Sequence, residues 1–322
     1  MDKVIITGIT GQDGLFLTSK ILEIFPNAEI IGISRQESSN HFFKNLNSLS
    51  SVSKKNVRIL NIDLLNPKET ENFINQFKPD TIFNLSGPSS VYESINKPKN
   101  VSGKIISIFE NLTTPLIKKK NFINFFQASS SEMFSPDAGQ YLNEDSILFP
   151  NSPYADEKMH NHLKVLEYSE KYNWKIISGI MFNHESEFRK LPYLIPKILQ
   201  SAYDISRGTS SSFEIGSLNY IRDWSFAGDI VDAIILLTKN NASGPYVIGS
   251  GIGNSIEELV EVIFKKFDLD YKNFVKINSE LLRPGDPLVK ISDPTKIRTN
   301  YSWKPTHDIN KIIDRCIINF LK

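Results

Sequence analysis

Near its N-terminus the chain reads Val4-Ile5-Ile6-Thr7-Gly8-Ile9-Thr10-Gly11-Gln12-Asp13-Gly14, an apolar run that passes into three spaced glycines. The β-branched run predicts a buried strand, and the helical period of Leu15–Phe25 predicts a helix directly after the glycines. Glycines between a strand and a helix allow a tight turn and a close backbone approach, so a pyrophosphate can sit at the helix N-terminus. An ordinary glycine turn is the alternative, but the strand before it and the helix after it favour a dinucleotide site.

Short apolar runs alternate with longer segments of helical period through the first 182 residues. The predicted strands are Val4–Thr7, Ile30–Ser34, Val57–Ile62, Thr81–Leu85, Phe122–Gln127 and Lys175–Ile180. The predicted helices are Leu15–Phe25, one begun by Asn66-Pro67, Ile106–Ile117 and Tyr154–Tyr172. This order predicts an α/β fold with a doubly wound parallel sheet, in which ligands bind beyond the carboxyl ends of the strands. The polar stretch Gln36–Lys55 is predicted to be a long loop with room for one helical turn.

The pattern changes after Phe182, where prolines and glycines separate shorter elements. We predict a dinucleotide-binding domain over residues 1–182 and a smaller C-terminal substrate lobe over residues 183–322. Residues 229–250 are predicted to return to the first domain. The predicted strand ends bring Asn84, Ser130 and Glu132 to the same edge of the sheet as the glycine turn.

The composition disfavours several classes of function. The chain has 322 residues, of which 40% are hydrophobic, and its formal net charge of +1 provides no global field for nucleic acid or an anionic membrane. The single cysteine, Cys316, permits no intrachain disulfide and disfavours a thiolate metal site, so no metal is expected. The N-terminus runs into a predicted strand rather than a signal peptide, and no apolar run approaches the ~20 residues of a membrane span. These features predict a cytoplasmic protein.

The end of the second predicted strand indicates which dinucleotide is bound. An acidic residue there would bond the ribose 2′-hydroxyl of NAD, whereas this chain has Ser34-Arg35-Gln36. A guanidinium suits a 2′-phosphate, so Arg35 favours NADP, with a solvated arginine as the alternative. Asp63, after the third strand, could bond the adenine amino group or cap the next helix.

A tyrosine, a lysine and two residues upstream of them form the candidate catalytic set. Tyr154 and Lys158 are four residues apart, which places both on one face of a helix. A lysine ammonium beside a phenol is expected to lower the phenol's pKa and make it a usable base. Ser130 and Glu132 follow the fifth predicted strand, and Glu132 adds a second base that simple alcohol oxidation does not need.

These residues resemble the extended short-chain dehydrogenase/reductase family, with its Rossmann-type fold, and within it the GDP-mannose 4,6-dehydratase group. The resemblance covers most of the chain. It is carried by the glycine turn, Gln127–Glu132, Ser152-Pro153-Tyr154, Phe182-Asn183-His184-Glu185-Ser186, Arg222-Asp223-Trp224, Asp293-Pro294-Thr295-Lys296 and Trp303-Lys304-Pro305.

The resemblance implies a complete reaction. Tyr154 would deprotonate the C4 hydroxyl of a hexose while hydride passes to NADP, with Lys158 lowering the tyrosine pKa and bonding the nicotinamide ribose. Ser130 would bond O4. Glu132 would remove the acidified C5 proton and help to expel the C6 hydroxyl as water, before hydride returns to C6. On GDP-D-mannose this yields GDP-4-dehydro-6-deoxy-D-mannose, a step towards 6-deoxyhexoses for surface polysaccharide.

The resemblance also implies which residues bind. For the cofactor these are Gly8, Thr10, Gly11, Gln12, Asp13, Gly14, Arg35, Asp63, Leu64 and Leu85, with Tyr154 and Lys158. For the nucleotide sugar they are Ser89, Asn183, Lys197, Arg222 and Arg283, of which the cations could instead be surface charges. His184 is expected to be a structural hydrogen-bonding histidine that, with Glu185, fixes the substrate loop.

Departures from the family pattern keep other readings open. Gln36 replaces a second arginine in a loop that helps to join dimers, so the implied homodimer or homotetramer is not decided. The loop Glu187–Tyr193 lacks the family's paired arginines and glycine, which leaves the nucleotide less certain than the dehydration. The alternatives are a dehydratase of another nucleotide sugar, a 4-reductase or epimerase, which would need no C5 base such as Glu132, and a non-catalytic NADP-binding protein.

Overall fold

Seven parallel strands form the central sheet of the computed structural model, which describes residues 1–35, 39–283 and 285–321. They are β1 (Lys3–Thr7), β2 (Glu29–Ile33), β3 (Val57–Leu60), β4 (Thr81–Asn84), β5 (Asn124–Ser130), β7 (Ile176–Met181) and β11 (Gly244–Ile248). The order across the sheet is β11-β7-β5-β4-β1-β2-β3. The chain therefore winds outwards in both directions from β1 and β4, as the predicted doubly wound α/β fold requires.

Helices cover both faces of this sheet. One face carries α1 (Gln12–Ile24), α2 (Ser39–Leu49) and α8 (Ala227–Lys239), and the other carries α3 (Pro67–Phe77), α5 (Lys104–Lys118) and α6 (Pro153–Tyr172). Successive strand residues point to opposite faces, so in β1 Val4 and Ile6 enter one core and Ile5 enters the other. Burial on both faces explains why the strands are continuous apolar runs rather than alternating ones.

The remaining strands and helices lie outside the central sheet. The strands are β6 (Tyr141–Leu142), β8 (Asn183–Glu185), β9 (Phe213–Ile215), β10 (Ile221–Phe226), β12 (Gly253–Ser255), β13 (Val275–Ile277) and β14 (Val289–Ser292). The helices are α4 (Val91–Asn96), α7 (Leu194–Ser206), α9 (Ile256–Lys265), α10 (Thr295–Tyr301) and α11 (Ile309–Phe320). A second sheet has the order β12-β10-β14-β6, with β8 paired to β10. No helix in the three described ranges has the length and apolar character needed to cross a membrane.

The predicted long loop after β2 is wrong. Residues 39–49 form α2, whose Phe42 and Leu46 are buried against α1. Their i, i+4 spacing is that of a helix face, but the surrounding Asn and Ser residues masked it. Gln36, whose replacement of an arginine was singled out, lies outside the described residues. β11 pairs with β7 in the central sheet, and the boundary at residue 182 stays a prediction.

Candidate active site

The glycine turn after β1 forms one wall of a cleft with a cavity of about 430 Å³. Gly8 has φ +69°, and a Cβ there would lie 3.2 Å from the Leu85 carbonyl carbon. Gly14 allows a still closer approach, because a Cβ there would meet Ile9 Cα at 2.5 Å. Gly11 caps α1 without a side-chain hydrogen bond, so the first helical N–H groups remain available for an anion. The turn suits a dinucleotide pyrophosphate.

All ten residues predicted to bind the cofactor through this turn and the neighbouring strand ends line that cleft. They are Gly8, Thr10, Gly11, Gln12, Asp13, Gly14, Arg35, Asp63, Leu64 and Leu85. Arg35 is exposed just after β2. The Asp63 carboxylate accepts a hydrogen bond from the Leu65 N–H at 3.0 Å, whereas α3 is capped by Asn66, so the alternative role of Asp63 as helix cap is wrong.

Two side chains at the start of α1, Gln12 and Asp13, contact the segment that follows β7. Gln12 Nε2 donates to the His184 carbonyl at 3.0 Å, and Gln12 Oε1 accepts from Ser186 Oγ at 2.8 Å. Asp13 Oδ2 lies 3.1 Å from His184 Nε2, while His184 Nδ1 lies 2.7 Å from the Phe182 carbonyl. His184 thus has the structural hydrogen-bonding position that the sequence predicted, at the junction of cofactor cleft and substrate segment.

The candidate catalytic tyrosine and lysine lie in the first turns of α6. Ser152 caps this helix by accepting from the Ala155 N–H at 3.2 Å, which fixes where the helix begins. Tyr154 and Lys158 are both buried, and Lys158 Nζ lies 5.7 Å from the centre of the Tyr154 ring. Lys158 Nζ donates to the Ala128 carbonyl at 2.7 Å, so β5 orients the lysine.

Burial controls the proton affinity of this pair. It raises the pKa of Tyr154 to about 12, with only partial opposition from the Ser130 side chain, and Glu132 adds to the rise. It lowers the pKa of Lys158 to about 8. The predicted lowering of the Tyr154 pKa by Lys158 is therefore wrong for the protein by itself, because desolvation of the phenolate exceeds the favourable interactions.

Glu132 follows β5 in a 3₁₀ turn, Ser131–Met133, and its N–H donates to Ser130 Oγ at 3.2 Å. Its Oε1 accepts from Lys290 Nζ at 2.9 Å, and its Oε2 lies 3.8 Å from Arg283 Nη1. Burial raises the pKa of Glu132, but Lys290 and Arg283 outweigh it, and the resulting pKa is about 2. The carboxylate is ionised in the neutral range, as a base must be.

Lys290 was not predicted as a site residue. It lies in β14, 158 residues after Glu132 in sequence. A lysine inside the apolar run Leu288–Ile291 was the available signal, since a lysine in a buried strand needs a partner.

A carboxylate that the sequence analysis also missed holds both arginines predicted to bind the nucleotide sugar. Asp286 pairs with Arg222 Nη2 and with Arg283 Nη2, each at 2.9 Å. Arg222 also donates from Nη1 to the carbonyls of Ile221 and Leu288. Arg283 keeps 39% of its side chain exposed, whereas Arg222 keeps 7%. Arg283 is therefore the more accessible cation for a diphosphate.

A second cavity, of about 560 Å³, gathers the catalytic and substrate-binding candidates. It is lined by Ser130, Glu132, Tyr154, Lys158, Ser89, Asn183, Lys197, Arg222 and Arg283. The loop before α7 borders this cavity and the cofactor cleft alike. In that loop Tyr193 lies 2.6 Å from Ser89 Oγ through its hydroxyl, and the Arg189 guanidinium lies 4.0 Å from the Tyr193 ring centre. Arg189 and Tyr193 were not predicted; they join the two spaces into one site.

Comparison with known proteins agrees with this geometry. The family model for GDP-mannose 4,6 dehydratase matches residues 5–316. GDP-mannose 4,6 dehydratase 2 of Arabidopsis thaliana is 30% identical over 317 residues, covering 96% of this chain and 84% of the relative. The human GDP-mannose 4,6 dehydratase is 30% identical over 337 residues, covering 96% and 88%.

A solved structure shares the fold at lower identity. The dTDP-glucose 4,6-dehydratase DesIV from Streptomyces venezuelae, solved with NAD bound, superposes with a TM-score of 0.84 at 20% identity, covering 99% of this chain and 97% of that one. The family match spans nearly the whole chain, including both cavities. The chain belongs to the GDP-mannose 4,6-dehydratase family.

Proposed function

We propose that this protein is a nucleotide-sugar 4,6-dehydratase that converts GDP-D-mannose to GDP-4-dehydro-6-deoxy-D-mannose. The observation that carries the proposal is an ionised carboxylate, Glu132, in the same cavity as Ser130, Tyr154 and Lys158. A 4-reductase or epimerase needs no base for the C5 proton, whereas a 4,6-dehydratase does. The choice of GDP-mannose is supported by the names of the relatives in Arabidopsis and human.

Each residue has a separate task in this reaction. Tyr154 would accept the proton of the C4 hydroxyl in its phenolate form, which Ser130 stabilises while it bonds O4. Since the protein by itself holds this phenol protonated, the positive charge of an oxidised nicotinamide would supply the further stabilisation of the phenolate. Glu132 takes the C5 proton, which the C4 ketone acidifies, and returns it to the departing C6 hydroxyl. A bound nicotinamide dinucleotide supplies the hydride acceptor for C4 and the hydride donor for C6. Oxidation and reduction balance, so the net change is loss of one water.

The dinucleotide is proposed to be NADP. Arg35 lies just after β2 on the cleft that the glycine turn borders, where a 2′-phosphate would be held by charge-assisted hydrogen bonds. Arg283 and Arg222 are proposed to bind the diphosphate, together with Lys197, and Asn183 and Ser89 to contact the sugar or phosphates. A homodimer or homotetramer and a cytoplasmic location stay predictions.

The test incubates the purified protein and NADP with GDP-D-mannose and, separately, with each of a panel of other nucleotide sugars. Mass spectrometry then measures which of these sugars loses one water. The wild type should remove one water. Glu132→Gln should stop after C4 oxidation, so we expect a 4-keto sugar that has kept its C6 oxygen, in an amount limited by the enzyme. Glu170→Gln, an exposed carboxylate on α6, is the matched control and should dehydrate normally. Full dehydration by Glu132→Gln would show that another group removes the C5 proton.

A further inference from the structure

Lys290 is a buried cation that the proposed reaction does not by itself use. Its side chain is 6% exposed, and its ammonium donates to Glu132 Oε1 at 2.9 Å. The parallel pairing of β14 with β10 sets Lys290 beside Arg222, so two cations project from neighbouring strands. Burying a lysine is costly unless it is paired, and here its partner is the carboxylate assigned to the C5 proton.

The charges around Glu132 divide into two groups. Asp286 pairs with Arg222 from β10 and with Arg283 from the loop before β14. Lys290 from β14 pairs with Glu132, and Arg283 approaches the other carboxylate oxygen at 3.8 Å. Tyr154 from α6 is the further titratable group whose charge is coupled to Glu132. Asp286 thus offsets much of the arginine charge, and Lys290 is the closest cation to Glu132.

We propose that Lys290 is a positioning residue for Glu132, which it holds ionised and oriented while the carboxylate moves a proton from C5 to the leaving C6 oxygen. This inference rests on the proposed dehydratase function. It adds a residue, Lys290 on β14, that sets the proton affinity of Glu132 although it is distant from Glu132 in the sequence.

The proton balance explains what such a tuning residue does. The C5–H bond breaks and its proton goes to a Glu132 oxygen; the same proton then goes to O6 as the C6–O6 bond breaks and water leaves. A carboxylate of low proton affinity is a weaker base in the first transfer but a stronger acid in the second. The C4 ketone already assists the first transfer by acidifying the C5 proton. A neighbouring ammonium therefore favours the second transfer, from Glu132 to O6, which has no such assistance.

The test compares pH profiles of dehydration for the wild type, Lys290→Met and Lys290→Arg. The wild type should lose no activity through Glu132 as the pH falls to the limit at which it stays folded. Lys290→Met leaves a partly buried carboxylate with less positive charge nearby, so this variant should lose activity on an acidic limb within the folded pH range, where the wild type shows none. Lys290→Arg should restore most of the activity that Lys290→Met loses at low pH.

The kinetic constants separate positioning from substrate binding. Lys290→Met should lower kcat for dehydration by at least about tenfold at pH 6 and change KM by less than about threefold, because Arg222 and Arg283 remain. A raised KM with unchanged kcat would make Lys290 a substrate contact and overturn the proposal. A pH profile of Lys290→Met without that acidic limb would also overturn it. If the wild type itself dehydrates no nucleotide sugar, the proposed function fails, which is a different result.

A stability measurement keeps the inference testable if Lys290→Met folds poorly. The double variant Lys290→Met/Glu132→Gln removes the carboxylate that the single variant leaves without its ammonium. The proposal predicts that the double variant melts at a higher temperature than Lys290→Met near pH 7. If both melt at the same temperature, Lys290 does not hold Glu132 ionised, and the proposal is wrong.

Discussion

At the scale of single residues, burial decides the protonation of groups whose spacing was already clear from sequence. Tyr154 and Lys158 are four residues apart on α6, as the sequence predicts, yet desolvation raises the pKa of Tyr154 and lowers that of Lys158. Glu132 keeps 16% of its side chain exposed, and there Lys290 and Arg283 outweigh the effect of burial on the pKa. A carboxylate and a phenol in one cavity therefore have opposite pKa shifts, because two cations lie within 4 Å of the Glu132 carboxylate, whereas Lys158 lies 5.7 Å from the centre of the Tyr154 ring.

Arg35 gives the prediction that belongs to this scale. Arg35→Ala should weaken NADP binding by at least about tenfold, since a charge-assisted hydrogen bond contributes roughly 1.5–3 kcal/mol, and should leave NAD binding within about threefold. Isothermal titration calorimetry with each dinucleotide measures both affinities. Arg207→Ala, an exposed arginine after α7, is the control and should change neither. Equal weakening of NADP and NAD by Arg35→Ala would count against a 2′-phosphate contact.

At the scale of elements, α6 is fixed to the central sheet by polar as well as apolar contacts. His162, in the middle of this helix, lies 2.8 Å from Ser178 Oγ of β7 through its Nδ1. Glu157, one turn earlier, accepts from the N–H groups of Gly103 and Ile105 at the start of α5. These contacts position the helix that presents Tyr154 and Lys158, so the catalytic geometry depends on them.

The buried histidine predicts how stability changes with pH. Burial lowers the pKa of His162 from 6.5 to about 4, so between these values the unfolded chain binds more protons at this residue. Stability should therefore fall as the pH drops from 6.5 towards 4, by up to roughly 3 kcal/mol from this group. His162→Gln should flatten that slope in urea unfolding series, whereas the exposed His41→Gln should not. An unchanged slope in His162→Gln would assign the acid sensitivity to other groups.

At the scale of the whole molecule, the active site lies between the central sheet and the elements above its strand ends. The glycine turn contacts the segment after β7 through Gln12, His184 and Ser186. Further out, Arg222, Lys290 and Asp286 bring β10, β14 and the loop before β14 to Glu132. The cofactor cleft and the substrate cavity share Asp13, Leu85 and the loop before α7, which couples the two parts of the site.

Gln12 tests this coupling. Gln12→Ala removes one donor from the His184 carbonyl, which keeps Arg189 Nη2 at 3.3 Å, and leaves the buried Ser186 hydroxyl without its acceptor. A buried polar group left unsatisfied costs about 1–3 kcal/mol. We expect a loss of that size in the free energy of unfolding, measured by urea denaturation. Gln76→Ala, an exposed glutamine on α3, should stay within about 0.5 kcal/mol of the wild type. A loss no larger than that of the control would mean that the contact between turn and segment contributes little.

Local sequence patterns were sufficient to predict the main elements of the fold and their order. Strand–helix alternation predicted the doubly wound sheet, and Asn66-Pro67 correctly marked the start of α3. The spacing of Tyr154 and Lys158 on one helix followed from the same local rules. The loop predicted where α2 lies was wrong, because the many Asn and Ser residues there favour a loop. The helix forms because packing against α1 buries the apolar pair Phe42 and Leu46.

The electrostatics of the site depend on contacts between residues that are distant in the sequence. Glu132 meets Lys290 because β14 pairs in parallel with β10 and lies above the carboxyl end of β5, a relation that no local pattern specifies. The ion pair of Asp286 with Arg222 likewise joins residues that are far apart in the sequence, and Asp286 also pairs with Arg283. Helical and strand periods act over a few residues, whereas a pKa depends on burial and on charges a few ångströms away in space, wherever they lie in the sequence.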